Sequence, residues 1–517
     1  MRVSIINLNL IKQDAVGQNI LHQVRFFQRR GDQVQIYVLH PPVDIAPEIV
    51  ALTRVVTSTD LLARRDSYFA TTDLFIYHYL GHHALMDSIK YLERGAAIFY
   101  FHNVTPPALW NRPEDYPQMA ADVADVGKLA AYADLIVADS PFNAQDLIEQ
   151  HQCDPDRVRV LPLAVPLDEF SPGSGDPTLR ARYKLEGRRT ILYVGRVASH
   201  KRVDLLVEAL ALVKQQIPNA ALLIAGDHNT NPAFTKIVQG IRQRAQALQI
   251  AADVIFTGRV EAIAPFYRLA EVYSSASLHE GFGVPLIEAM ASGIPVVVSD
   301  ATTHPWVLDG AGLLAKPDDA TDLAAQLVNV LRNDQLYGEL VQRGLARAKE
   351  FSLEQYNIHW IEIVAEATAW LPQRPYPFMR LPPLASLKEK NSAETLTGAP
   401  TAPNALTLTL TEDVAQLQAA ADVMIKNYTV HSGLPMIGGL LAWARRNLTS
   451  HLREPYLDPM FRRQEGFNWL VVHTLHHLVH HLAQPSQPIS DERVAKLEAE
   501  VAELRAELVR QRNENTV

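Results

Sequence analysis

His279-Glu280-Gly281-Phe282-Gly283-Val284-Pro285-Leu286-Ile287-Glu288-Ala289-Met290 decides how this chain is read. An apolar run, Val272 to Leu278, leads into it, and Pro285 suits the first position of a helix, so the segment reads as strand, glycine loop and helix N-terminus. The amides of Gly281 to Gly283 and the positive end of the helix dipole then face an anion, which the two glycines allow the backbone to approach closely. Glu280 stands just before the loop, and Glu288 lies about one helical turn inside. Carboxylates accept hydrogen bonds from sugar hydroxyls and repel phosphate, so this layout suits hydroxyl-rich groups on either side of a diphosphate. A nucleotide sugar is built that way.

Upstream, Ile191-Leu192-Tyr193-Val194-Gly195-Arg196-Val197-Ala198-Ser199-His200-Lys201-Arg202 ends a strand in Gly195-Arg196. Lys201 then precedes a helix on which Leu205, Leu206, Ala209, Leu210 and Val213 share one face. Arg196 and Lys201 supply positive charge at the strand end.

The pair Gly-Arg-x4-Lys and Glu-x7-Glu, in this order and about 80 residues apart, resembles the donor-binding half of the family-4 retaining glycosyltransferases (glycosyltransferase group 1). The resemblance extends through Val296-Val297-Val298-Ser299-Asp300 and Gly310-Ala311-Gly312-Leu313-Leu314 and covers roughly residues 1 to 372. It implies an α/β chain with the GT-B fold, two doubly wound Rossmann-like domains facing a cleft. Met1 to Asn7 reads as a first strand, and Asp14-Ala15-Val16-Gly17-Gln18-Asn19 resembles the glycine loop near the donor phosphates. Asp73 to Tyr79 and Ala97 to Pro107 follow as strands carrying His78 and His102 at their C-terminal ends, where open α/β sheets bind ligands.

That resemblance implies a retaining, metal-independent transfer of a hexose of the mannose or glucose type from a nucleoside-diphosphate sugar. The acceptor would be a saccharide or glycolipid in cell-surface polysaccharide synthesis. It implies that His102 lies near the anomeric carbon, that Arg196, Lys201 and the loop amides stabilise the departing diphosphate, and that Gly17 approaches the diphosphate from the other domain. Glu280 would hold donor-sugar hydroxyls and Glu288 the ribose hydroxyls. The donor-binding set is then Gly17, Gly195, Arg196, Lys201, Val260, Gly281, Phe282, Gly283, Val284 and Glu288, with His102, Arg196, Lys201 and Glu280 catalytic and no metal ligand or cofactor. The base would meet backbone groups near Gly258 to Val260, and GDP-mannose is favoured on resemblance alone. A catalytically idle GT-B scaffold and a GT-B nucleotide-sugar epimerase are the competing readings. The intact set of four charged residues disfavours the first, and the motif spacing disfavours the second.

Composition fits an enzyme of this size. With 517 residues, 48% hydrophobic and 20% charged, the chain can bury two or three cores. A net charge of −9 argues against general nucleic-acid binding. No apolar stretch is long enough to cross a bilayer, the N-terminus opens as a core strand, and a single cysteine, Cys153, fits a reducing compartment. A cytoplasmic protein, peripheral at the inner face of a membrane in one reading, is the expectation.

Punctuation divides the chain into residues 1–168, an acceptor domain completed by a crossing helix at 353–371, and 169–352, the donor domain. A Pro-, Thr-, Ser- and Ala-rich linker follows at 372–411, then a helical accessory region at 412–484 and a heptad run through Val494, Leu497, Val501, Leu504 and Leu508 within 488–517. The heptads predict a short coiled coil and a homo-oligomer. Leu440 to Arg446 allows a membrane-surface helix, although a self-packed helical bundle explains it as well. His473, His476, His477, His480 and His481 read as a polar helix face rather than a zinc site. His78, His82 and His83 are candidates to touch the acceptor or to be structural, and Asp154-Pro155-Asp156 reads as a turn that only mimics a metal signature.

Overall fold

A computed structural model of the chain describes residues 1–369 and 371, apart from 13, 58–59, 61–65 and 227–231. The linker, the accessory helices with their histidines, the Leu440 to Arg446 stretch and the heptads lie outside the described residues. Among those described, no helix is long and apolar enough to cross a membrane.

Two parallel sheets form the body, which is one compact unit. The first has seven strands: β1 (Arg2–Asn7), β2 (Gln33–Val38), β3 (Thr53–Val55), β4 (Leu74–Tyr79), β5 (Ala96–Phe101), β6 (Leu135–Ala138) and β7 (Val158–Val160), in the order β3-β2-β1-β4-β5-β6-β7. The second has six: β8 (Arg189–Val194), β9 (Ala220–Ala225), β10 (Val254–Gly258), β11 (Val272–Ser275), β12 (Val296–Ser299) and β13 (Leu313–Ala315), in the order β10-β9-β8-β11-β12-β13. The central strands are continuous apolar runs, every residue of β4 and β5 being buried, because helices cover both faces of a parallel sheet.

Strand order reverses between β1 and β4 in the first sheet and between β8 and β11 in the second. Crevices outside the carboxyl ends of such neighbouring strands are where doubly wound sheets take ligands. Both charged motifs leave the second crevice: Gly195 to Lys201 follows β8, and His279 to Gly283 follows β11. This is the GT-B architecture.

After the second sheet the chain returns to the first through the helix Leu353–Thr368, capped by Ser352, whose hydroxyl accepts from the Gln355 N–H. Trp360 at its centre is fully buried, with its ring centroid 6.0 Å from Phe27 and 6.2 Å from Tyr100 of β5. Arg159, in β7, pairs with Glu366 near the helix end. Two local expectations change. The helix after the glycine loop runs Val284–Ala291 from a left-handed Gly283 cap, so Pro285 takes its second position rather than its first. The strand before it ends at Ser275, and Ala276 to Leu278 is loop.

Trp360→Ala should destabilise the fold by about 3–5 kcal/mol, the usual cost of emptying an aromatic core site, read as a lower denaturant midpoint in urea unfolding.

Candidate functional site

Backbone crowding sets up the second crevice. Gly195 follows β8 with φ +149, and a Cβ on Gly226, after β9, would stand 2.1 Å from the Gly195 carbonyl oxygen. Two strand ends therefore cross at glycines. The Tyr193 hydroxyl donates to the Arg196 carbonyl at 2.9 Å, closing the turn, and the Arg196 side chain is exposed. The turn Ser199–Lys201 is then joined to the loop after β11. The Leu278 N–H donates to the His200 carbonyl at 2.8 Å, so the two sequence motifs lie side by side.

Their charges meet as well. Lys201 Nζ is 2.6 Å from Glu280 Oε2, with the two side chains 15% and 18% exposed. Burial alone would push the Glu280 carboxyl up, but Lys201, with His304 behind it, holds it down at about 2. A carboxylate so paired stays ionised and keeps one oxygen for other partners.

The glycine loop is framed from the turn after β12. Thr302 Oγ1 accepts from the Glu280 N–H at 3.1 Å, and the Thr303 hydroxyl donates to the Phe282 carbonyl at 2.8 Å. The Phe282 ring packs beside Trp306 and Phe351, while Gly283 has φ +99 and opens the helix at Val284. Gly281 faces the first sheet: a Cβ there would lie 2.4 Å from the His102 carbonyl oxygen. One helical turn on, Glu288 Oε2 accepts from the Tyr267 hydroxyl at 2.6 Å, and burial pushes its carboxyl up to about 7.

His102 reaches this point by its backbone. Its imidazole has 2% side-chain exposure, with Nδ1 2.8 Å from Asp139 Oδ2 and Nε2 2.7 Å from His78 Nδ1. Both ring nitrogens are engaged, which leaves the carbonyl as the group that meets the glycine loop. His78 is fully buried and hydrogen-bonded to Gln23 as well, so it does not face an acceptor. Of the other histidines in that group, His82 stands 3.4 Å from Asp87, and His83 is buried, its pKa lowered to about 4 by burial and then by neighbouring His82.

Gly17 lies in the first turn of the helix Ala15–Arg29, where a Cβ would come within 1.9 Å of the Ile11 carbonyl oxygen. Packing within its own loop thus requires glycine there. Val260 follows β10, partly buried against the core, beside Arg259, which pairs with Asp44 of the first domain at 2.7 Å. The structure brings together Lys201, Glu280, the 281–283 loop and the His102 carbonyl. Asp154 caps the turn Pro155–Arg157 by accepting from the Asp156 N–H, a structural role. Tyr267, Thr302, Thr303, Asp139 and Asn143 escaped the sequence reading. Only Asp139-Ser140-Pro141 left a signal, the strand end and helix cap that it spells.

The family model described as Glycosyl transferases group 1 matches residues 188–333. Mannosylfructose-phosphate synthase from Agrobacterium fabrum is 31% identical over 283 residues, 50% of this chain and 61% of that protein. The O-antigen chain mannosyltransferase B of Escherichia coli is 28% identical over 293 residues, 54% of this chain and 71% of that one. HepE of Anabaena, solved in complex with UDP and glucose, superposes with a TM-score of 0.58 at 18% identity, covering 71% of this chain and 99% of its own. The match thus spans less than two thirds of the first relative's length and a little more of the second's.

Two measurements probe this geometry. Gly281→Ala should force the loop away from His102, read as faster hydrogen exchange over 281–284 and a lowered Tm. Glu288 keeps its proton in the fold up to about pH 7, against 4.5 for an ordinary glutamate. Its contribution to stability is therefore full below the unfolded value and is lost as pH rises through about 7. Glu288→Gln should flatten the decline of Tm between pH 5 and 8.

Proposed function

We infer that this chain, whose residues 188–333 match the glycosyl transferases group 1 model, transfers a hexosyl group from a nucleoside-diphosphate sugar to a saccharide or glycolipid acceptor. The observation that carries this reading is the partly buried Lys201–Glu280 pair, 2.6 Å apart, beside a glycine loop at the switch point of the second sheet. A cation, a helix N-terminus and a carboxylate converge there, and a sugar joined to a diphosphate presents the matching anion and hydroxyls.

In the proposed reaction the bond from the anomeric carbon to the diphosphate oxygen breaks, and its electron pair stays on the diphosphate. Lys201, Arg196 and the amides of the 281–283 loop stabilise that charge. The acceptor oxygen attacks from the face the diphosphate leaves, the departing phosphate oxygen takes the acceptor proton, and configuration is retained. Glu280 holds hydroxyls of the donor sugar, Glu288 those of the ribose, and the His102 carbonyl lies beside the anomeric carbon as positive charge grows there. The cationic groups do the work that a divalent ion does in other transferases, so the reaction is proposed to run without one.

Mannose is the favoured sugar, since both relatives carry mannosyl names, with glucose the alternative suggested by the Anabaena structure. Calorimetry with GDP-mannose and UDP-glucose in the presence of chelator is the deciding experiment. One donor should bind and be turned over, and Lys201→Ala should lose at least about 100-fold in kcat/KM, the scale of one lost charge-stabilising contact. Failure of both donors, and of UDP-galactose and UDP-N-acetylglucosamine, to bind the wild-type chain would overturn the reading.

A further inference from the structure

We propose that the turn Asp139 to Asn143, between β6 and the helix Pro141–Glu149, is the positioning element that sets the donor loop against His102, with Asn143 as its hook. The proposal rests on the donor-site reading above and adds residues outside both charged motifs.

Asn143 is fully buried in the first turn of its helix, its N–H accepted by the capping Ser140 hydroxyl at 3.1 Å. The two ends of its side chain serve different domains. Oδ1 accepts from Asn103 Nδ2 at 2.7 Å, and Nδ2 donates across the cleft to the Gly281 carbonyl at 2.8 Å. Asn103 follows His102 directly and sits in the left-handed region at φ +70. A single amide therefore joins the side chain of the residue after His102 to the glycine loop. Peptide groups are planar, so holding the Gly281 carbonyl also fixes the orientation of the Phe282 N–H, one of the loop donors. Only a side chain with a donor and an acceptor at its tip can make both bonds; an aspartate keeps the bond to Asn103 but offers no proton to Gly281.

Four residues earlier, Asp139 holds the same histidine from behind. Its Oδ2 is 2.8 Å from His102 Nδ1, and the chain continues from His102 through His78 to Gln23 Oε1, the last step at 2.9 Å. Burial pushes the Asp139 carboxyl up, and the neighbouring His102 opposes that rise. With His102 fixed through its ring and Gly281 through its carbonyl, their van der Waals approach is determined by one five-residue turn.

The test uses the full chain, with Asn143→Ala, Asn143→Asp and, as a control on the same helix, the exposed Gln145→Ala. Hydrogen exchange without ligand should accelerate at least about tenfold in the peptide covering 281–284 for both Asn143 variants and not for the control, the size of one lost buried hydrogen bond. With the accepted donor, kcat should fall by about tenfold or more in both Asn143 variants and stay at the wild-type value in the control, aspartate giving no rescue. Unchanged exchange at 281–284, or full rescue of kcat by aspartate, would overturn the proposal. A wild-type chain that turns over no nucleotide sugar would sink the donor reading instead, and the exchange data would still decide whether Asn143 holds the loop.

Discussion

The absence of a Cβ at residue 281 is the constraint on which this architecture turns. It lets the loop after β11 lie against the His102 carbonyl, so the two sheets, already joined by a shared apolar core, share one crevice. The other restraints are consistent with that approach. Thr302 and Thr303 hold the loop from its own domain, Asn143 from the opposite one, and the backbone bond from Leu278 to His200 keeps the lysine turn in step. Any side chain at 281 would displace the loop from all of them.

Charge is arranged around the same point by burial. Glu280 and Glu288 are two carboxylates with seven residues between them, yet their environments separate them, one held near 2 by a lysine and the other raised to about 7 by burial. Near neutral pH the first is a fixed anion and the second is poised to gain or lose its proton. Opposite roles for similar groups follow from their neighbours rather than from residue type.

Much of this was legible in the sequence because it is local. A glycine loop between an apolar run and a proline-started helix, and a lysine ahead of an amphipathic helix, announce strand-end anion sites wherever the chain places them. The crossing helix was expected only because the family resemblance implies it. What remained hidden depends on partners far along the chain. The hydrogen bond from Asn143 to Gly281 spans 138 residues and the contact between His102 and Asp139 spans 37, and neither leaves a periodic trace. His78 looked like a strand-end ligand because its position is visible in sequence while its burial is not. The edge strand β3, three residues long and partly exposed, is too short to stand out from turns.

The returning helix also makes the first domain discontinuous along the chain. Residues 189–315, with all six strands of the second sheet, form a contiguous stretch, whereas the core around Phe27 and Tyr100 is finished only by Trp360. During synthesis the second sheet can therefore close while the first still waits for a helix more than 190 residues beyond its last strand. The half that holds His102 is completed last, so the cleft cannot assemble before the half built on the second sheet has been made.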